Sequence, residues 1–206
     1  MESVLDRVIK QNTENVNLLK TKDYNIFSVL QIQSKEVLIC RMIADLLNPR
    51  GQHGAGAEYL KIFLRDCLGM EKMDTKLADQ AIVTAEYAID DERRIDIVIE
   101  IGSYFLPIEV KIYAADQKSQ CFDYYQYAKR RDAQAKVYYL TLDGHRPGKD
   151  STSSGSQSVS EEDIVCLSFR EHILNWLKAC KNCGNTGMIP ILEQFIRNIE
   201  QISGYT

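Results

Sequence analysis

Arg93–Ile112 reads RRIDIVIEIGSYFLPIEVKI, and this stretch decides the fold. Its first half alternates, with Ile95, Ile97, Ile99 and Ile101 on one face and Arg94, Asp96, Val98 and Glu100 on the other. A period of two predicts a strand over 94–101. Gly102-Ser103 is a two-residue turn signal, and Tyr104–Ile112 is the return strand of a hairpin. With Ile101 facing Tyr104, the isoleucines meet Tyr104, Leu106, Ile108, Val110 and Ile112 as one apolar sheet face. On the other face Asp96 falls across from Glu109, and Lys111 lies two residues further on, across from Arg94. Counting outward from the turn makes Asp96 and Glu109 a non-hydrogen-bonded pair, with Cα atoms about 4.5 Å apart. Pro107 falls where its missing N–H costs this ladder nothing.

Two opposed carboxylates on a sheet repel unless something cationic sits between them. Lys111 and Arg94 qualify, and so does a divalent metal, since clustered carboxylate oxygens suit Mg²⁺ or Mn²⁺. The chemistry that follows is metal-dependent hydrolysis of a phosphodiester. Asp96, Glu109 and the Val110 carbonyl would hold the metal, and Lys111 would orient the attacking water or stabilise the developing charge. The plain alternative is a solvated polar face on a half-exposed hairpin.

Upstream of the hairpin the pattern is helical. Residues 1–20 read as helix. Ser34 is placed to cap a helix from Lys35 to about Leu47, which Asn48-Pro49-Arg50-Gly51 breaks. A second helix is predicted from Ala55 to Leu68, ended by Gly69. Ile82–Ile89 reads as a strand before the hairpin. Downstream come a polar, aromatic-rich helix over 115–132, a strand over Lys136–Leu142 and a Ser- and Gly-rich segment, 143–163, expected to be an irregular, mobile loop. A short strand over Ile164–Leu167 follows. Ser168-Phe169-Arg170-Glu171 has the form of a capping box opening a helix to about Cys180, and a last helix covers roughly Met188–Ile202. This order predicts an α/β fold in three α/β/α layers around a central mixed sheet. The expectation is one domain over 1–206: mainly helical over 1–75, the sheet over 80–168, C-terminal helices over 168–206.

Composition narrows the classes. The 206 residues carry 25 Lys+Arg against 29 Asp+Glu, a formal charge of −4, which argues against a polybasic architectural protein. No apolar run reaches the length of a membrane span, and the first residues lack a signal peptide's apolar core. The six cysteines sit mostly inside helix- or strand-like patterns, as reduced core cysteines do, so a cytoplasmic location is expected. Cys180 and Cys183 form a CxxC, with no second pair at zinc-finger spacing.

Asp96 followed by Ile108-Glu109-Val110-Lys111 resembles the signature of the PD-(D/E)XK nuclease superfamily. The wider pattern resembles an uncharacterised bacterial branch of it. Matching features are Arg94-Ile95-Asp96, then Asp116-Gln117 with Gln120 through Tyr124, then Tyr139 through Gly144. Upstream the match takes in Glu36, Arg41 through Pro49, Gly51 and His53-Gly54. The resemblance covers roughly 34–145. Ile95 stands where the superfamily's name has Pro, and Arg93 where the branch usually has Gly. Relatives of this branch often continue past the equivalent of Ile202, so the chain reads as a short member or a truncated one.

The resemblance implies a restriction-endonuclease-like fold and Mg²⁺-dependent phosphodiester cleavage, with Mn²⁺ substituting. It implies catalytic roles for Asp96, Glu109 and Lys111, and for Glu36 as the upstream helical acid, with Glu86 a further acid on the preceding strand. Gln120 and Tyr124, four apart on one helix face, become candidates for the reaction and for substrate contact. Arg94, Arg41 and His53 are the other substrate-binding candidates. A basic track for a phosphate backbone would draw on Arg93, Arg94, Lys118, Arg41, Arg50 and Lys129-Arg130-Arg131. The implied partner is nucleic acid, DNA favoured over RNA by family analogy. Oligomeric state stays open; cutting both strands of a duplex would call for a homodimer. Two competing readings are a catalytically inactive nuclease-like module that binds nucleic acid or protein, and a phosphohydrolase acting on a small molecule.

Overall fold

The computed structural model describes residues 24–71, 73–183 and 185–204. The helix expected over 1–20 lies outside the described residues. The sheet is mixed and five-stranded, in the order β1-β2-β3-β4-β7. Strands β1 (Ile82–Ala88), β2 (Arg94–Ile101) and β3 (Tyr104–Lys111) run antiparallel in sequence. Strands β4 (Val137–Thr141) and β7 (Ile164–Ser168) continue from β3 in parallel. Both parallel crossovers run over one face of the sheet, and helices from before β1 and after β7 cover the other.

One face carries the larger core. Helices α2 (Glu36–Leu47), α3 (Glu58–Asp66), α7 (Leu174–Asn182) and α8 (Ile189–Ile202) pack there on Ile97, Ile99, Ile101, Leu106, Ile108, Val110 and Leu140. Trp176 is fully buried and donates its indole N–H to the Tyr59 carbonyl. The other face is covered by α5 (Gln120–Arg131), through Tyr124 and Ala128 on Val98, Phe105 and Val137. β4 is buried along its whole length, because both faces of the sheet are covered there. The layers are those of a restriction-endonuclease-like α/β fold. No helix among the described residues is long and apolar enough to cross a membrane.

The two ends of the described fold are stitched together. Short helix α1 (Ile26–Val29) stacks Phe27 on Phe195 of α8 at 5.3 Å. Asn25 donates to the Gln194 carbonyl at 2.8 Å, and Asn198 donates to the Gln33 carbonyl, just before α2, at 3.1 Å.

Several expectations need correcting. The hairpin register from Ile101↔Tyr104 to Ile97↔Ile108 is as predicted, but the ladder stops there, one residue short of Asp96 and Glu109. On the other side of β2, Ala85 pairs Ile97 and Tyr87 pairs Ile95, while Glu86 has φ 54. A left-handed residue breaks the period of two. Across from this break, on β2, Ile95 leaves the isoleucine face and packs with Val98, Phe105 and Tyr124 under α5. The opposite face of the hairpin is not a solvated face: Glu109 and Lys111 are buried.

The 143–163 segment is not an irregular loop. It contains α6 (Lys149–Thr152) and a small hairpin, β5 (Ser153–Ser154) with β6 (Gln157–Ser158). Ser119 sits left-handed at φ 56 just before α5; its N–H donates to the Asp150 carbonyl and its hydroxyl to the Ser153 carbonyl. The Ser and Gly content read as irregularity is used for backbone hydrogen bonding that starts α5. This start is later than predicted, at Gln120 rather than 115. Ser34 does not cap α2, whose flanking residue is Lys35, with no side-chain cap. The capping box at Ser168 forms half its bonds: Ser168 Oγ accepts from the Glu171 N–H, but the Ser168 N–H goes to His172 Nδ1. The chain there makes one π-type turn, Phe169–Ile173, before α7.

Candidate active site

The site sits where β2 and β3 part. Because neither ladder bonds Asp96, its side chain takes over a backbone role: Oδ2 accepts the Val110 N–H at 2.8 Å. Glu36 does the same two residues later, just past the end of β3, its Oε2 accepting the Ile112 N–H at 2.7 Å. The two carboxylates are thus pinned to β3 on either side of Lys111. Glu109 is 1% exposed, and its Oε1 lies 2.7 Å from Lys111 Nζ. Its second oxygen, Oε2, is buried with no partner.

Such an arrangement is electrostatically unfinished. Burial raises Glu109 well above the usual carboxylate range, and the charge of Asp96 raises it further, against the pull of Lys111. Asp96 is also raised by burial, opposed by the Val110 N–H. Burial alone would lower Lys111, but Glu109, Asp96 and Glu36 outweigh it and hold it above its usual value. Lys111 is thus held in its charged form while both acids are pushed toward their neutral forms, and a cation between the acids would reverse that push. Behind them lies Cys40, one turn on from Glu36 along α2 and fully buried. Its thiol is pushed up by burial and then by Asp96, Glu36, Glu109 and Glu86 together. Sequence reading passed over Cys40, although its i+4 spacing from Glu36 puts both on one helix face.

The donor set suits a hard divalent ion. Two carboxylates, one with an orphaned buried oxygen, offer oxygen ligands where Mg²⁺ would keep several waters. Among the described residues no group of three or more His, Cys, Asp or Glu side chains converges as a full protein cage.

The other predicted residues divide. Gln120 and Tyr124 are beside the site but engaged internally: Gln120 Nε2 donates to Tyr124 Oη at 3.1 Å, and Tyr124 Oη donates to the Arg94 carbonyl. They hold the start of β2 against α5. Arg93 joins this brace, with its guanidinium on Gln117 Oε1, the Lys118 carbonyl and Asp123. The Arg94 side chain is exposed. Arg41 binds Glu86 at the rim. His53 lies apart: its ring is 1% exposed and stacks on Tyr59, Nδ1 accepts the Ala55 N–H and Nε2 donates to the Asn48 carbonyl. With both nitrogens satisfied, it holds the turn after α2. Arg50 is also used there, donating to the Ala81 carbonyl.

Lys129, Arg130 and Arg131 end α5, on the side of Phe105 at the start of β3. Six residues of strand, about 20 Å, separate Phe105 from Lys111. Lys129 and Arg131 are paired with Asp163 and Glu100, and all three cations lie over aromatic rings. That run does not border the site.

Two residues that the sequence offered only as part of the wider pattern, Tyr139 and Asp116, support the site from β4. Tyr139, the register partner of Glu109, donates its hydroxyl to Asp116 Oδ1 at 2.7 Å. Asp116 Oδ2 accepts the Gly148 N–H at 2.7 Å. One aspartate thus ties the strand beside the site to the 143–163 segment.

A central mixed sheet with an acid–x–Lys strand beside a second acid defines the restriction-endonuclease-like class. A model of the PD-(D/E)XK nuclease superfamily matches residues 24–197, and the chain belongs to that superfamily. No curated protein matches the chain.

Proposed function

We propose that the chain is a divalent-metal-dependent nuclease that hydrolyses phosphodiester bonds, with DNA the favoured substrate. The observation that carries this reading is the buried, unpartnered Oε2 of Glu109 beside Asp96 and Lys111. Burying a carboxylate oxygen without a partner is costly, and the cost is met when a cation occupies the place. Asp96, Glu109 and the Val110 carbonyl would hold Mg²⁺, with Mn²⁺ substituting. The ion supplies positive charge to the scissile phosphate and a water of lowered pKa.

The chain's own groups do the rest. Lys111 spends one of its three N–H donors on Glu109 and keeps the others for the attacking water or the phosphate oxygens. Glu36 uses Oε2 on the Ile112 N–H, beside Lys111, and keeps a second oxygen for the water or the ion. Gln120 and Tyr124 act as positioning residues that fix the strand bearing Asp96. Exposed Arg94, Arg41 and Lys118 flank the site for phosphate contact, and Tyr113, 69% exposed, offers a ring for base stacking.

The test is cleavage of labelled single-stranded DNA, duplex DNA and RNA in Mg²⁺ or Mn²⁺, with EDTA and Asp96→Asn as controls. Metal-dependent cleavage that vanishes in the variant is expected. Cleavage equal in the variant, or no cleavage together with no metal-induced rise in the wild-type melting temperature, overturns the proposal.

A further inference from the structure

Glu86 is the one residue of β1 with a left-handed backbone, at φ 54. Only glycine adopts that conformation at little cost, so a glutamate in the middle of a strand needs a reason. Its position supplies one. Ala85↔Ile97 and Tyr87↔Ile95 flank it, so Glu86 lies directly across from Asp96 at the gap in the ladder. The twist turns its carboxylate to Arg41 of α2, where Oε2 accepts from Nε at 3.0 Å and from Nη2 at 2.6 Å. Two guanidinium nitrogens on one oxygen is a contact that a phosphate oxygen makes equally well.

The pair does little for the fold. The two side chains are 58% and 38% exposed, and pairs that open to water contribute marginally to stability. Both ends are nevertheless held at the site's edge: Arg41 by the helix that carries Glu36 and Cys40, Glu86 by the strand beside Asp96.

We propose that Arg41 with Glu86 forms a phosphate-binding subsite in which the Glu86 carboxylate stands in for a backbone phosphate neighbouring the scissile one. When nucleic acid binds, the phosphate takes over Arg41 and Glu86 swings out to solvent. Glu86 thereby sets a threshold on binding: a ligand must outcompete a tethered carboxylate, which a polyanionic strand does and a lone carboxylate or monovalent anion does not. This rests on the nuclease reading and adds to it a place where affinity is held down from within.

The experiment is a double-mutant cycle on affinity. Fluorescein-labelled single-stranded DNA, duplex DNA and RNA oligonucleotides are titrated with protein in Ca²⁺, with gels confirming that the probe stays intact, and anisotropy is read over a range of salt. Arg41→Ala weakens binding and lowers the salt slope by about one. Glu86→Gln tightens binding about three- to fivefold, the upper part of the gain expected when an exposed ion-pair competitor is removed. Glu86→Gly does the same while accommodating the left-handed backbone, so it guards against a folding defect. In the Arg41→Ala background the Glu86 effect falls below about twofold. A Glu86 effect of equal size with and without Arg41, or none in either, overturns the subsite while leaving the nuclease reading intact. A wild-type protein that binds none of the three probes overturns the nuclease reading, and the subsite with it.

Discussion

Replacing Lys111 by methionine keeps most of the buried stem and removes the ammonium that faces Glu109 at 2.7 Å. Both side chains are nearly inaccessible, at 8% and 1% exposure. Removing one partner of a buried ion pair costs about 3–5 kcal/mol when the other charge has no escape. Glu109 has one, because it is already raised well above its usual range and can take up a proton. The cost is therefore set by pH. An acid whose folded pKa is raised keeps its full contribution to stability below its unfolded pKa, near 4.5, and loses it as pH rises through the folded value. Losing Lys111 moves that folded value up again and widens the window.

Below the wild-type folded pKa of Glu109 the variant and wild type should differ little. Above it the gap should open by about 1.4 kcal/mol per pH unit until it levels near the full cost of about 3–5 kcal/mol. Urea denaturation in EDTA from pH 5 to 8.5 measures this. The double variant Glu109→Gln with Lys111→Met should recover the lost stability at the alkaline end. A pH-independent difference, or a double variant no better than Lys111→Met alone, would show that the lysine stem packs the site and that charge has little to do with it.

Metal stabilisation should carry its own pH dependence. Asp96 and Glu109 are both raised, so a cation that displaces their proton binds more tightly as pH rises. Mn²⁺ at a hundred times its Kd would stabilise by about 2.7 kcal/mol. Thermal melts at fixed Mn²⁺ from pH 6 to 8 should show a growing shift, and a flat one would count against this pair as the ligands. His53→Ala should cost about 2–4 kcal/mol, since it removes a buried ring and two hydrogen bonds. The metal-induced shift should survive it; loss of that shift at retained fold would place His53 in the site after all. Tyr124→Phe deletes the hydroxyl that links Gln120 to the Arg94 carbonyl and should cost about 1–3 kcal/mol by chemical denaturation. A variant as stable as wild type would mean that this brace does not hold β2.

The hairpin was legible because its pattern and its turn agree: a clean period of two flanks a two-residue Gly-Ser turn, so register follows by counting. What counting cannot see is where the ladder ends. The gap at Asp96 lies across from Glu86, a residue with no local preference for a positive φ, so no glycine or asparagine marks the break. Ile95 leaves the isoleucine face at the same place. The residues Asp96, Glu109, Lys111 and Glu36 do converge, but their partners are partly backbone N–H groups of β3, which no side-chain pattern announces. Gln120 and Tyr124 read as a pair because they are four apart. That they bond to each other and to the Arg94 carbonyl depends on how α5 crosses the sheet. The 143–163 segment reads as loose because Ser and Gly are common in loops, whereas here Ser151 is fully buried and meets the Cys121 N–H. His53 in a Gly-rich turn is ambiguous from sequence, and only burial of the ring decides it.

The stitching of α1 and α8 has a consequence for the order in which the site is put together during synthesis. Glu36, Asp96, Glu109 and Lys111 have all left the ribosome before the first residue of α8 is made. The turn that leads into Glu36 and the short helix α1 before it are braced by Asn198 and Phe195, which come last. A nascent chain holds every reactive group of the site yet lacks the clamp that sets Glu36 in place, so translation itself delays the assembly of the complete centre until nearly the whole described fold has been synthesised.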